Sequence, residues 1–306
     1  MKVSIIGAGN VGSMLAERVL EEDLADVVLV DIAEGLAKGK ALDIMHSAST
    51  VGFSGLVTGT ADLKDTKNSD IIVIAAGLAR KPGMTREDLA AKNKATVKDI
   101  VKNTAADSPD AILIMVTNPL DLMTYVAYRE SGFKAHKVMG MAGALDSARF
   151  AYYISRELNV RPDSVDALVI GGHDDTMVPL VSQTRVAGKP LSGLIDRKKA
   201  QVLTEKTKKA GSELVGLLGG ASAYYAPSAA VLVMIKSILK DEKKLIALSA
   251  YVDGQYGIKG SCIGVPAVLG RRGIEKIEEL NISAGEREAL NRSSEAIKKQ
   301  LDLLDI

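Results

Sequence analysis

The sequence predicts an α/β protein: a doubly wound parallel sheet in the first half, an α+β lobe in the second. Three observations carry this reading. Short β-rich runs alternate with longer amphipathic stretches up to about residue 143. The runs are almost continuously apolar, as strands covered on both faces must be. Several end in Gly, Asp or Asn, at the carboxyl edge where open α/β sheets bind their ligands.

In chain order, "KVSIIG" reads as a strand, followed by a helix to about Glu22, the strand "VVLVDI" and a second helix to His46. "DIIVIAAG", a helix from Arg86, and "AILIMVTN" continue the alternation, with right-handed connections placing helices on both sheet faces. Beyond Gly143 the pattern changes to long helices ("LDSARFAYYISRELN", "NRSSEAIKKQLDLL") mixed with strands around "VDALVI" and "CIGVPAVLG". The division expected is residues 1–143 for dinucleotide binding and residues 144–306 for substrate and catalysis.

With 306 residues, 47% of them hydrophobic, the chain is long enough for two lobes around a large core. Lysine and arginine total 39 against 38 acidic residues, and they are spread along the chain, which leaves no basic face for nucleic acid. The single Cys262 excludes an internal disulfide, and "MKVSIIGAGN" enters structure with no signal-peptide pattern ahead of it, so a cytoplasmic protein is expected. Leu214 to Ile235 is long and uncharged enough to span a bilayer, but Gly219, Gly220 and Pro227 interrupt it. It reads instead as a pair of buried helices, and no membrane partner is expected.

"GAGNVG" sets Gly7, Gly9 and Gly12 in G-x-G-x-x-G spacing between a strand and a helix, the context of a Rossmann turn. Such a turn brings the backbone close to a pyrophosphate and seats it on the helix N-terminus. A glycine-rich turn also occurs in α/β folds that bind no nucleotide. Asp31 narrows the choice: it closes the second strand, where a carboxylate accepts both ribose hydroxyls and repels a 2′-phosphate, favouring NAD over NADP.

"GLARKPGMTRED" combines a Gly and Pro framework with Arg80, Lys81 and Arg86, a loop able to close over an anion or one merely solvated. Thr85 and Asp88 suit a helix start there.

Together, in this order, "GAGNVG", "AGLARKPGMTREDL", "VTNPLD", "LDSARF" and "GGHDDTMVP" resemble the lactate/malate dehydrogenase family, in particular its lactate-dehydrogenase-like malate dehydrogenases. The resemblance runs from Met1 to past Pro227. It implies reversible hydride transfer between NAD and (S)-malate, giving oxaloacetate. His173 is then the proton carrier, Asp146 the acceptor that fixes its tautomer, and Arg149 the bidentate grip on the C1 carboxylate. Arg86 polarises the substrate carbonyl. Arg80 stands where lactate dehydrogenases usually carry glutamine and malate dehydrogenases carry arginine for the second carboxylate, which favours a dicarboxylate. Asn118 touches nicotinamide ribose and substrate and precedes a cis bond to Pro119. Ala8, Asn10, Val11, Asn93, Val116 and Thr117 complete the cofactor site, with a solvent-facing Asn93 the alternative. A homodimer or homotetramer is implied.

One residue departs from the pattern: Asp174 stands where the family carries glycine after the histidine. Either it occupies a left-handed backbone conformation, which aspartate tolerates, or it points inward and adds a second carboxylate beside His173. A metal at His173, Asp174 and Asp175 is not expected, because adjacent residues point in different directions. L-lactate dehydrogenase and an NAD-binding protein without turnover are the alternatives. Arg80 argues against the first and the full set His173, Asp146, Arg149 and Arg86 against the second.

Overall fold

The computed structural model describes residues 1–78 and 86–304, without the side chains of Arg86 and Glu87. Arg80, Lys81 and Thr85 thus lie outside the described residues, and of Arg86 only its place at a helix start is described.

The chain opens as β1 (Lys2–Ile6), α1 (Asn10–Glu21), β2 (Asp26–Val30), α2 (Glu34–Val51), β3 (Val57–Thr60), β4 (Ile71–Ile74), α3 (Arg86–Asp107), β5 (Ile112–Met115), α4 (Leu120–Ser131) and β6 (Val138–Gly140). These six strands pair in parallel, in the order β6-β5-β4-β1-β2-β3. The order reverses at β1, so the carboxyl ends of β1 and β4 frame a crevice. α1 shows how a connection earns its place: Leu15, Ala16, Val19 and Leu20 form one buried stripe at helical spacing. Burying each of its larger side chains contributes about 2 kcal/mol. α2 extends past the expected His46 to Val51, ending at Gly52 in the left-handed conformation.

From Gly143 the chain forms α5 (Gly143–Leu158), then short pairings among β7 (Val165–Asp166), β8 (Val169–Ile170), β9 (Val178–Pro179), β10 (Arg185–Val186) and β11 (Lys189–Pro190). α6 (Arg197–Leu217), α7 (Tyr225–Leu239), β12 (Lys244–Asp253), β13 (Lys259–Gly270), β14 (Gly273–Ile277) and α8 (Ala284–Leu303) follow. The last three strands are antiparallel and continue the first sheet through β12 against β6, giving nine strands in all. Both halves of the chain therefore build one sheet.

The stretch Leu214 to Ile235 departs from expectation. α7 is largely buried, but the end of α6 and the connection after it are exposed, because Ser212, Val215, Ser222 and Ala223 line an open cleft. Among the described residues no helix is long and apolar enough to cross a membrane.

The sheet carries the histidine turn through one close approach. Gly171 and Gly264 exchange two backbone hydrogen bonds, at 2.9 and 3.0 Å, and a Cβ on Gly264 would stand 2.5 Å from the Gly171 carbonyl oxygen. Gly264→Ala should therefore destabilise the protein by about 1–3 kcal/mol, seen as a lower midpoint in denaturant.

Candidate active site

The start of α1 at Val11 and the carboxyl ends of β4 and β5 open into a cleft of about 580 Å³, which α5, α6, α8 and the histidine turn close from the other side. The cleft and the strand ends around it follow from local chemistry.

At β1, Gly7 has φ of +109° and a Cβ there would meet Ala76 N at 2.7 Å, so only glycine fits. At Gly12 a Cβ would lie 1.9 Å from the Gly7 carbonyl oxygen, because the helix is packed onto the strand end. A Cβ at Gly9 would meet no atom of the described residues within 4 Å. That space lies at the start of α1, whose N-cap Gly9 supplies no side-chain hydrogen bond, so the backbone of Asn10 and Val11 is presented as helix N-termini present theirs to phosphates. The turn thus fits a pyrophosphate group. Asp31 follows β2, where Oδ2 accepts from Ala8 N at 2.8 Å and Oδ1 from Ala33 N at 3.0 Å. Each oxygen keeps a lone pair for a ribose hydroxyl.

At β5, Thr117 is buried and its hydroxyl donates to the carbonyls of Ala76 and Ile74, tying β5 to β4 beside Val116. Asn118 lies exposed on the cleft and its bond to Pro119 is cis, as expected. Asn93 is not solvent-facing: it is fully buried, accepting from Leu78 N at 2.8 Å and donating to the carbonyl oxygens of Leu78 and Asn118. Its amide locks the ends of β4 and β5 together.

On the opposite wall, His173, Asp146 and Arg149 come together. α5 turns Asp146 and Arg149, three apart, to one face. His173 Nδ1 lies 2.7 Å from Asp146 Oδ2 and Arg149 Nη1 3.3 Å from Oδ1. A carboxylate only accepts, so Nδ1 carries a proton and Nε2 is the nitrogen left to exchange one. Arg149 Nε is buried with no partner among the described residues, and the side chain lines the cleft, as a guanidinium kept for an anion would.

Burial is the largest influence on the His173 ring and by itself disfavours imidazolium. The charge and hydrogen bond of Asp146, together with the charge of Asp121, outweigh it against the opposition of Arg149 and hold the pKa above its ordinary 6.5. The stability this interaction contributes is fully present below that ordinary value and is lost as pH rises through the raised one.

Asp174 follows neither course read from the sequence in full. Its backbone is not left-handed, and Oδ1 is engaged by the Thr176 N–H and hydroxyl, forming a local turn that needs no glycine. The second carboxylate acting on His173 is instead Asp121, which sequence reasoning missed although it closes the quoted "VTNPLD". Its Oδ2 accepts the His173 backbone N–H at 2.7 Å and its Oδ1 the Ser249 hydroxyl at 2.6 Å.

Asp146→Asn keeps an acceptor for Nδ1 but removes the charge. With three histidines in the chain, the His173 ring is resolvable by NMR, and its pKa should fall by about one to two pH units.

Comparison with known proteins gives this geometry relatives. Residues 1–140 match the NAD binding domain of lactate/malate dehydrogenase and residues 143–304 its alpha/beta C-terminal domain. A malate dehydrogenase of Bacillus mycoides is 47% identical over 305 residues, covering 99% of this chain and 98% of that protein. The structure of malate dehydrogenase from Salinibacter ruber superposes with a TM-score of 0.95 at 47% identity, covering 100% of this chain and 98% of that one. The lactate dehydrogenase of Cryptosporidium parvum, solved with lactic acid and nicotinamide adenine dinucleotide, reaches 0.96 at 38% identity over 99% and 98% of the two chains. The chain belongs to the lactate/malate dehydrogenase family.

Proposed function

We propose that this protein is an NAD-dependent malate dehydrogenase, interconverting (S)-malate and oxaloacetate. The observation that carries the reading is the meeting of His173, Asp146 and Arg149 across one cleft from a glycine turn with room for a pyrophosphate.

NAD, when bound, supplies the acceptor for the hydride leaving C2 of malate. The chain supplies the rest. The α1 N-terminus with Gly7, Gly9 and Gly12 holds the pyrophosphate and Asp31 the adenosine ribose. Val116, Thr117 and Asn118 form the nicotinamide side, with Asn93 holding Asn118 in place. Arg149 grips the C1 carboxylate, while neutral His173 takes the hydroxyl proton on Nε2 and Asp146 stabilises the imidazolium that results. In the reverse direction the same proton returns. Arg86 and Arg80 are assigned to the carbonyl oxygen and the second carboxylate on the strength of the resemblance alone.

Residues 1–143 and 144–306 are read as the dinucleotide and substrate halves, and a cytoplasmic homodimer or homotetramer as the working form. Lactate dehydrogenase is the second reading, favoured by the likeness to the Cryptosporidium enzyme and opposed by Arg80. Burying an arginine opposite a methyl group leaves its charge unpaired, at a cost of several kcal/mol.

Two outcomes follow. NADH oxidation followed at 340 nm should prefer oxaloacetate over pyruvate by about a thousandfold, and Arg80→Gln should erode that preference. Preference for pyruvate would establish the lactate reading instead. Because oxidation needs neutral His173 and reduction needs imidazolium, kcat/KM for malate should fall as pH drops through the raised His173 pKa. For oxaloacetate it should fall as pH rises through it.

A further inference from the structure

Lysine and arginine are spread along the sequence, but the fold gathers some of them. A short helix, Ala135–Lys137, leads into the amino end of β6, and the β13–β14 turn, with Arg271 and Arg272 at its tip, folds against it. The contact is close: Gly273 has a φ of +92°, and a Cβ there would stand 2.2 Å from the His136 carbonyl oxygen. Lys134, His136 and Lys137 are thereby brought beside the two arginines. Because β6 runs parallel to β5, the cluster lies at the opposite edge of the sheet from the cleft. The four residues of β5 put roughly 13 Å between the two edges.

The carboxylates nearby do not neutralise it. Among the described residues, Lys134, Arg271 and Arg272 are exposed and their side chains form no ion pair. Lys137 Nζ lies 3.5 Å from Asp110 Oδ1, but that carboxylate is fully exposed and such a pair is weak. Asp241 and Glu275 are turned to other duties: Asp241 Oδ1 accepts the Arg271 backbone N–H at 2.9 Å, and Glu275 faces Lys243 at 4.0 Å. The half-buried His136 ring registers the result, since burial and then the charges of Lys137, Lys134 and Arg272 hold its pKa below the ordinary value. Four permanent cations against Asp110 and Asp241 leave a local excess of about +2, in a chain whose net charge is +1.

Such a cluster suits an anion that carries several charges close together. Adjacent guanidinium forks with flanking ammonium groups match the oxygens of neighbouring phosphates. A single carboxylate would engage one fork and leave the rest of the charge in place. Duplex nucleic acid, held by about 6–10 phosphate contacts, would need a longer basic track than these two short segments offer.

We propose that Lys134, His136, Lys137, Arg271 and Arg272 form a binding site, separate from the cofactor cleft, for a soluble oligophosphate, a chain of two or three linked phosphate groups. The arginines clasp phosphate oxygens, the lysines neutralise the chain, and the His136 ring at its side senses the added negative charge. The site is independent of which reaction the cleft performs.

The test is a titration of inorganic tripolyphosphate into the full chain with NADH present, followed by NMR at His136. A local readout is needed because the glycine turn also fits phosphate groups. In wild type the His136 ring resonances should move to a saturating limit with a Kd of about 0.1–1 mM at low salt, weakening about tenfold as salt rises from about 50 to about 200 mM. Joint Arg271→Gln and Arg272→Gln substitution should raise that Kd at least about tenfold, and Lys134→Gln about threefold. Resonances unmoved at about 10 mM tripolyphosphate overturn the proposal. So does the same movement with sodium chloride at matched ionic strength, or an unchanged Kd in the folded double variant. If the double variant does not fold, an unchanged Kd in Lys134→Gln overturns it. Adsorption to phosphatidylserine vesicles with no response to tripolyphosphate would make the cluster a membrane contact, and overturns it too.

Discussion

The site depends on the 2.7 Å hydrogen bond between His173 Nδ1 and Asp146 Oδ2. It fixes which ring nitrogen exchanges a proton, and it supplies the charge that offsets burial of the imidazole. The rest of the second half of the chain brings these two side chains together. α5 carries Asp146, while the bridge from Gly171 to Gly264 hangs the histidine turn from β13. Ser293 of α8 receives the Gly172 N–H and bonds Thr176, closing the turn from behind. Because the turn is held by backbone on one side and by side chains on the other, the ring is placed before any substrate arrives, which is the preorganisation that proton transfer requires.

A second constraint joins the two halves. The glycine turn sits at the switch point of the parallel sheet, the His173–Asp146 pair on α5 and the turn hung from the antiparallel extension. β12 links them by pairing with β6, and Asp121 reaches across the same seam to Ser249 and His173. A single sheet of nine strands lets a residue near 120 act on one near 173 with little freedom between them.

Much of this was legible in the sequence, for physical reasons. The apolar runs of β1, β2, β4 and β5 are visible because both sheet faces are covered. β3, "VTGT", is an edge strand with little apolar character and gave no such signal. β12 is long and mostly buried, but "KLIALSAYVD" by itself does not distinguish an antiparallel strand from a buried helix segment. The glycine spacing and Asp31 could be read because their chemistry is local. Asp121 could not: an acidic residue in a first helical turn ordinarily complements the helix dipole at the surface, and only the tertiary structure buries it. The reach of Asp174 to Thr176 is likewise a matter of side-chain direction. Asn93 shows the same limit, since a buried amide and a solvent-facing one look alike in a helical stretch.

If His173 carries the proton, as proposed, the rest of the cleft should bind cofactor independently of it. The most direct measurement is single-turnover oxidation of bound NADH by oxaloacetate in His173→Asn, with the NADH dissociation constant taken on the same sample. NADH binding should stay close to wild type, with the chemical step slower by at least about a hundredfold. Turnover at the wild-type rate with NADH bound as tightly would contradict it.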